Sequence, residues 1–96
     1  MTEREHLLTI VAEECNETAQ RCSKAVRFGL SEIQPGQTLR NDERIIEEFN
    51  DLVGAMEELF DKPINEIIDR DKVIKKKRKI LEYMDYAEQQ GTIKGR

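Results

Sequence analysis

The chain has no tryptophan, one histidine, two cysteines, two prolines and five aromatic residues in 96. Each shortage excludes something. His6 is the sole histidine and no CxxC or HxxxH spacing occurs, so a zinc site of the usual nitrogen and sulfur ligands has no basis. Cys15 and Cys22 are seven residues apart. In a helix that spacing separates their Cα atoms by about 10 Å, beyond the roughly 4.4–6.8 Å of a disulfide. They read as reduced cysteines, small buried apolar residues on one helix face. No apolar run exceeds four residues, whereas a bilayer span takes about 20, so no membrane partner is expected. Met1-Thr2-Glu3-Arg4-Glu5 shows no basic stretch followed by an apolar core, and the expected location is the cytoplasm. GxxxxGK[ST] and GxGxxG are both absent, which removes the glycine-rich phosphate loops.

What the chain has is charge. Twenty acidic and sixteen basic residues give a formal charge of −4. The charged fraction is 38%, against about 25% in ordinary soluble domains. The negative balance argues against a nucleic-acid partner, because phosphate-backbone affinity needs a positive surface. The apolar fraction is also 38%, below the usual ~45–50%. A chain of this length makes one domain, residues 1–96, and so thin a core calls for help from a partner chain.

Three helical patterns separated by two breaks organise the sequence. In the first, Leu8, Val11, Cys15, Ala19, Cys22 and Val26 recur at three or four residues, ending near Phe28-Gly29. Gly29 to Arg40, with Gln34-Pro35-Gly36-Gln37, reads as a loop. Asn41 or Asp42 is placed to cap a second helix carrying Ile45, Ile46, Phe49, Leu52, Val53, Met56, Leu59 and Phe60. That helix stops before Pro63, and a short helical turn fits between Pro63 and Ile68. The third pattern starts near Asp69 or Asp71 and runs through Val73, Ile80, Leu81, Met84 and Ala87 to about Gln90, closed by Gly91. Residues 91–96 form a frayed tail. The fold class is all-α: a helical hairpin with a third helix packed across it, in a bundle completed by oligomerisation.

The acidic residues are concentrated. Glu14 and Glu17 lie about 60° apart on the first helix, and Glu48 and Asp51 do so on the second. Like charges at that spacing cost an isolated helix a few tenths of a kcal/mol. If the helices pack antiparallel, four facing carboxylates form a hard, oxygen-rich cavity suited to Mg²⁺ or Mn²⁺. The competing account is a solvated face, with Arg21 four residues after Glu17 forming an ordinary surface ion pair.

Glu13-Glu14-Cys15-Asn16-Glu17 followed by Glu48-Phe49-Asn50-Asp51 is the pattern EExxE…ExxD. It resembles the signature of the MazG-like all-α nucleoside triphosphate pyrophosphohydrolases, and the flanking runs from Leu7 to Ala12 and from Ile46 to Val53 resemble the family too. The similarity covers residues 6 to 90. Thirty residues separate Glu17 from Glu48, somewhat more than the family's usual gap, and the Gln34–Gln37 loop accounts for the excess. The resemblance implies hydrolysis of a nucleoside triphosphate to the monophosphate and pyrophosphate. It implies Glu14, Glu17, Glu48 and Asp51 as Mg²⁺ ligands and Glu13 as a supporting residue or one positioning the attacking water. It also implies homodimers or homotetramers.

A carboxylate-lined site also needs cations for the outer phosphates. Lys72, Lys76 and Lys79 share one face of the third helix, where the resemblance places substrate contacts. Lys77 falls inside the apolar stripe, to snorkel or to point into the site. Tyr83 and Tyr86 are assigned to a subunit contact, and His6 to the surface. A non-catalytic helical dimerisation or adaptor protein is the alternative reading.

Overall fold

The computed structural model describes residues 1–95. It is all-α, with four helices: α1 (Glu3–Phe28), α2 (Asn41–Phe60), the short α3 (Ile64–Ile67) and α4 (Arg70–Gln89). The chain divides into two compact units, Met1–Ile64 and Asn65 onward. No helix among the described residues is long and apolar enough to cross a membrane.

In the first unit α1 and α2 pack on each other as a hairpin. Thr2 caps α1 reciprocally. Its hydroxyl accepts the Glu5 N–H at 3.1 Å, and the Glu5 carboxylate accepts the Thr2 N–H at 3.4 Å. Gly29 ends the helix with φ +98°, a value that only glycine takes without strain.

The loop that follows is folded onto the start of α2. The Asn41 and Asp42 N–H groups donate to the Glu32 and Leu30 carbonyls, each at 3.0 Å. Arg44 donates to the Gln34 amide oxygen at 2.9 Å. The expected turn at Pro35-Gly36 is closed by the Gln37 N–H on the Gln34 carbonyl at 2.9 Å. Asn41 anchors this arrangement: only 2% exposed, it donates from its side-chain amide to the Gly29 carbonyl and to a Glu32 carboxylate oxygen, both at 2.9 Å. Neither Asn41 nor Asp42 is therefore the helix cap. Arg40 occupies that position, and its N–H donates to the Glu43 carboxylate at 3.0 Å. Asn41 serves the loop instead because two carbonyl-type acceptors converge on it.

The largest departure from the expected packing concerns α1. Its half-buried side chains are Leu7, Ile10, Val11, Glu14, Thr18, Arg21 and Lys24, with Ala25 fully buried. The apolar stripe expected inside, Leu8, Cys15, Ala19, Cys22 and Val26, is exposed apart from Val11. Both cysteines are free, as the spacing requires, but neither is buried. On α2 the half-buried positions include Ile45, Glu48, Leu52, Val53, Met56 and Leu59, whereas Ile46, Phe49 and Phe60 are exposed. The seam of the hairpin thus includes charged side chains, and an apolar face beside it stays open. Leu8 and Phe60 meet in one groove of that face, and Cys22, Val26 and Ile45 in another. Among the described residues Ala25 is the sole fully buried hydrophobic side chain, so the chain lacks the buried large residues that each contribute roughly 1.5–3 kcal/mol elsewhere.

In the second unit Asp69 caps α4, its carboxylate accepting the Lys72 N–H at 3.2 Å. The helix carries half-buried Val73, Met84 and Ala87 and ends before Gly91, whose φ is +78°. Of the tail expected over 91–96, Arg96 lies outside the described residues.

Candidate metal centre

The 3.6-residue period puts Glu14 and Glu17 on neighbouring rows of α1, and the packing of α2 carries Glu48 across to them. One carboxylate oxygen from each of the three lies within 4.8 Å of the others. Oxygen ligands on opposite sides of a Mg²⁺ are about 4.2 Å apart, at roughly 2.1 Å per bond, and those around Ca²⁺ sit slightly wider. The cluster is therefore compact enough that its three carboxylates could coordinate a divalent cation after small side-chain adjustments.

The electrostatics point the same way. Glu14 has its pKa raised above the usual carboxylate value, first by burial, then by the charges of Glu17, Asp51 and Glu48. Glu48 is raised first by burial, then by its hydrogen-bonding contact with Glu17 and by the charges of Glu17 and Asp51, against a lowering by Arg21. One oxygen of Glu14 and one of Glu48 are shielded from solvent with no hydrogen-bond partner. Burying a carboxylate oxygen unpaired is costly, and a bound cation is the natural partner for both atoms.

Arg21 is the side chain whose partner differs from the one that helical spacing offered. It is paired with Glu48 of the other helix, Nε to Oε1 at 3.9 Å, with both side chains about one-fifth exposed. One of its guanidinium nitrogens is buried and unpartnered. The signal was present in the sequence, since Arg21 is seven residues from Glu14 and so shares its row. A local i,i+4 reading could not see that a carboxylate from α2 reaches the guanidinium. One guanidinium against three clustered carboxylates and Asp51 leaves negative charge uncompensated.

Asp51 is exposed and outside the three-oxygen cluster, but near enough to act on both Glu14 and Glu48. Glu13 is exposed on α1 and takes no part in the cluster. Lys72, Lys76 and Lys79 are exposed on α4. Lys72 and Lys76 border a groove of about 530 Å³ together with Lys77, which is itself exposed at the edge of the apolar stripe. His6 is a surface residue.

The triad is thus a carboxylate site able to coordinate a divalent cation, carried on a helical hairpin. No family model, no curated protein and no solved structure matches the chain.

Proposed function

We propose that the chain is a Mg²⁺-dependent nucleoside triphosphate pyrophosphohydrolase, a short MazG-like protein that works as a cytoplasmic homo-oligomer. The observation that carries the proposal is the convergence of Glu14, Glu17 and Glu48 from two helices, with two buried carboxylate oxygens left without partners. The order and spacing of the EExxE and ExxD segments that supply them add the family resemblance.

In this reading Glu14, Glu17 and Glu48 hold Mg²⁺, for which Mn²⁺ is an alternative, and Asp51 completes the acidic set. When bound, the metal neutralises triphosphate charge and lowers the pKa of a coordinated water. The chain's own part is to hold the ligand oxygens in place, through the α1–α2 packing. Arg21 restrains the Glu48 carboxylate and, with Glu48 serving as a metal ligand, would be a cation available to a phosphate. Glu13 supports the site or positions the attacking water, and Lys72, Lys76 and Lys79 contact the outer phosphates. The open apolar face of the hairpin, with Leu8, Val26, Phe49 and Phe60 exposed, is assigned to another copy of the chain in a dimer or tetramer.

The test is pyrophosphate release from each common NTP and dNTP. Release with at least one nucleotide, abolished by chelation, is expected, and Glu14→Gln and Asp51→Asn each remove most of it without loss of helical content. If no nucleotide is cleaved and Mg²⁺ leaves the melting temperature unchanged, a helical adaptor becomes the better account. The same open apolar face favours that second reading.

A further inference from the structure

The hairpin unit holds three half-buried cationic side chains, Arg21, Lys24 and Arg44. Arg44 is engaged, donating to the Gln34 amide oxygen at 2.9 Å. The other two repeat the acidic pair of α1 in register. Glu14 and Glu17 are three residues apart, and Arg21 and Lys24 reproduce that spacing seven residues later. Seven residues bring a helix back to within about 20° of the same row and advance it by about 10 Å. Arg21 therefore shares a row with Glu14, and Lys24 shares the neighbouring row with Glu17. Side chains on a helix lean towards its N-terminus, so both cations lean back towards the carboxylates. Arg21 completes that reach, its Nε lying 3.9 Å from the Glu48 carboxylate.

Neither cation is satisfied by its surroundings. The Arg21–Glu48 distance of 3.9 Å is well beyond the roughly 2.7–2.9 Å of a charge-assisted hydrogen bond. One terminal nitrogen of Arg21 is shielded from solvent and has no hydrogen-bond partner. Lys24 makes no hydrogen bond or ion pair among the described residues. A lysine that merely keeps the surface soluble stands out in water, as those of α4 do. Building on the metal-dependent activity proposed above, we propose that Arg21 and Lys24 bind the diphosphate end of the substrate. Two cations one turn apart then meet two phosphate groups beside the metal held by Glu14, Glu17 and Glu48. The guanidinium fork suits bidentate bonding to one phosphate, and the Lys24 ammonium supplies a point charge to the next. The phosphates run from the acidic cluster along α1 towards its C-terminal end. The hairpin thereby carries phosphate contacts of its own, besides the lysines of α4.

The test is binding to the full chain, read by calorimetry in excess Mg²⁺. The probes are inorganic pyrophosphate and a non-hydrolysable α,β-methylene nucleoside triphosphate. Arg21→Gln and Lys24→Gln should each weaken both probes by about tenfold or more. Arg4→Gln makes the same change of charge about 25 Å away on α1 and should shift either affinity by less than about twofold. Arg21→Lys keeps the charge without the fork and should recover only part of the loss. Mg²⁺ alone should raise the melting temperature of Arg21→Gln at least as much as that of the unsubstituted chain, because a competing cation is gone. If Arg21→Gln fails to fold, Lys24→Gln, which breaks no bond of the hairpin, decides alone. Full affinity in Lys24→Gln, a loss with one probe only, or an equal loss in Arg4→Gln overturns the inference and leaves the metal site standing. So does a chain that responds to Mg²⁺ but binds no pyrophosphate. A weaker response to Mg²⁺ in Arg21→Gln makes Arg21 a positioning residue for Glu48 and overturns its phosphate role. An unsubstituted chain that does not respond to Mg²⁺ removes the metal reading, and this inference with it.

Discussion

The hairpin and the C-terminal unit are both rich in charge, but they gather it differently. On α4 the basic residues are neighbours in sequence, and one helix suffices to bring them together. In the hairpin, Glu14 and Glu48 are 34 positions apart, and only the packing of α1 on α2 brings them within one cation's reach. The consequence is electrostatic. Exposed lysines along a helix are screened by water at little cost, whereas in the half-buried seam burial, and then the neighbouring carboxylates, raise the pKa of Glu14 and Glu48. A charge cluster that folding must work against is the better indication of a site.

The largest expected effect separates the two regions. Glu48→Gln should reduce pyrophosphate release at least about 100-fold, on the scale of losing a group that holds a catalytic metal. Glu82→Gln on α4 should leave release unchanged. The same Glu48→Gln chain, kept free of divalent ions, should melt a few degrees higher than the unsubstituted one, because repulsion in the seam is relieved. It should also lose the rise in melting temperature that Mg²⁺ gives the unsubstituted chain. A hairpin that melts lower on this substitution, read by circular dichroism, would make the cluster a structural ion network and erase the contrast.

Next in size is the loop anchor. Asn41→Ala removes two hydrogen bonds and leaves the Gly29 carbonyl and the Glu32 carboxylate short of a donor. A loss of about 2 kcal/mol in urea unfolding is expected. Hydrogen exchange should show the loosening in residues 29–42, with α4 unaffected.

The pH dependence follows from the direction of the shifts. Glu14 and Glu48 are both raised, so the folded chain binds these protons more tightly than the unfolded one. Their contribution is fully present below the ordinary carboxylate pKa and is lost as pH rises through the folded value. Without divalent ions the hairpin should therefore gain stability on mild acidification from neutral pH. With Mg²⁺ the trend should flatten or reverse, since protons and metal compete for the same oxygens. Melting curves at fixed ionic strength check both arms.

The smallest expected effect lies on α4. Asp69→Ala should cost about 1 kcal/mol by removing the carboxylate that accepts the Lys72 N–H. A far smaller loss would indicate that the capping bond contributes little to α4.

Most of the local structure was legible because it depends on neighbours in sequence. The C-terminal ends of α1 and α2, the α3 turn, the start of α4 near Asp69 and the Pro35-Gly36 turn all follow from glycine, proline and acidic first-turn preferences that act over four residues or fewer. Which face of α1 turns inward was not legible. The stripe from Leu8 to Val26 is the more apolar one, and period alone selects it. The hairpin instead turns in the row through Glu14, Thr18 and Arg21. Likewise the cap at Arg40 escaped, because the long-range acceptors Gly29 and Glu32 claim Asn41.

The sequence alone determined that the chain is all-α, where α1 and α2 end, and that its carboxylates come in pairs one turn apart. Only the tertiary structure decided that Glu14, Glu17 and Glu48 share a site, that Arg21 pairs with Glu48 across the seam, and that both cysteines face out. The division has a physical cause. Helix period and caps are set by backbone geometry over a few residues, whereas the inward face of an amphipathic helix depends on the surface it meets.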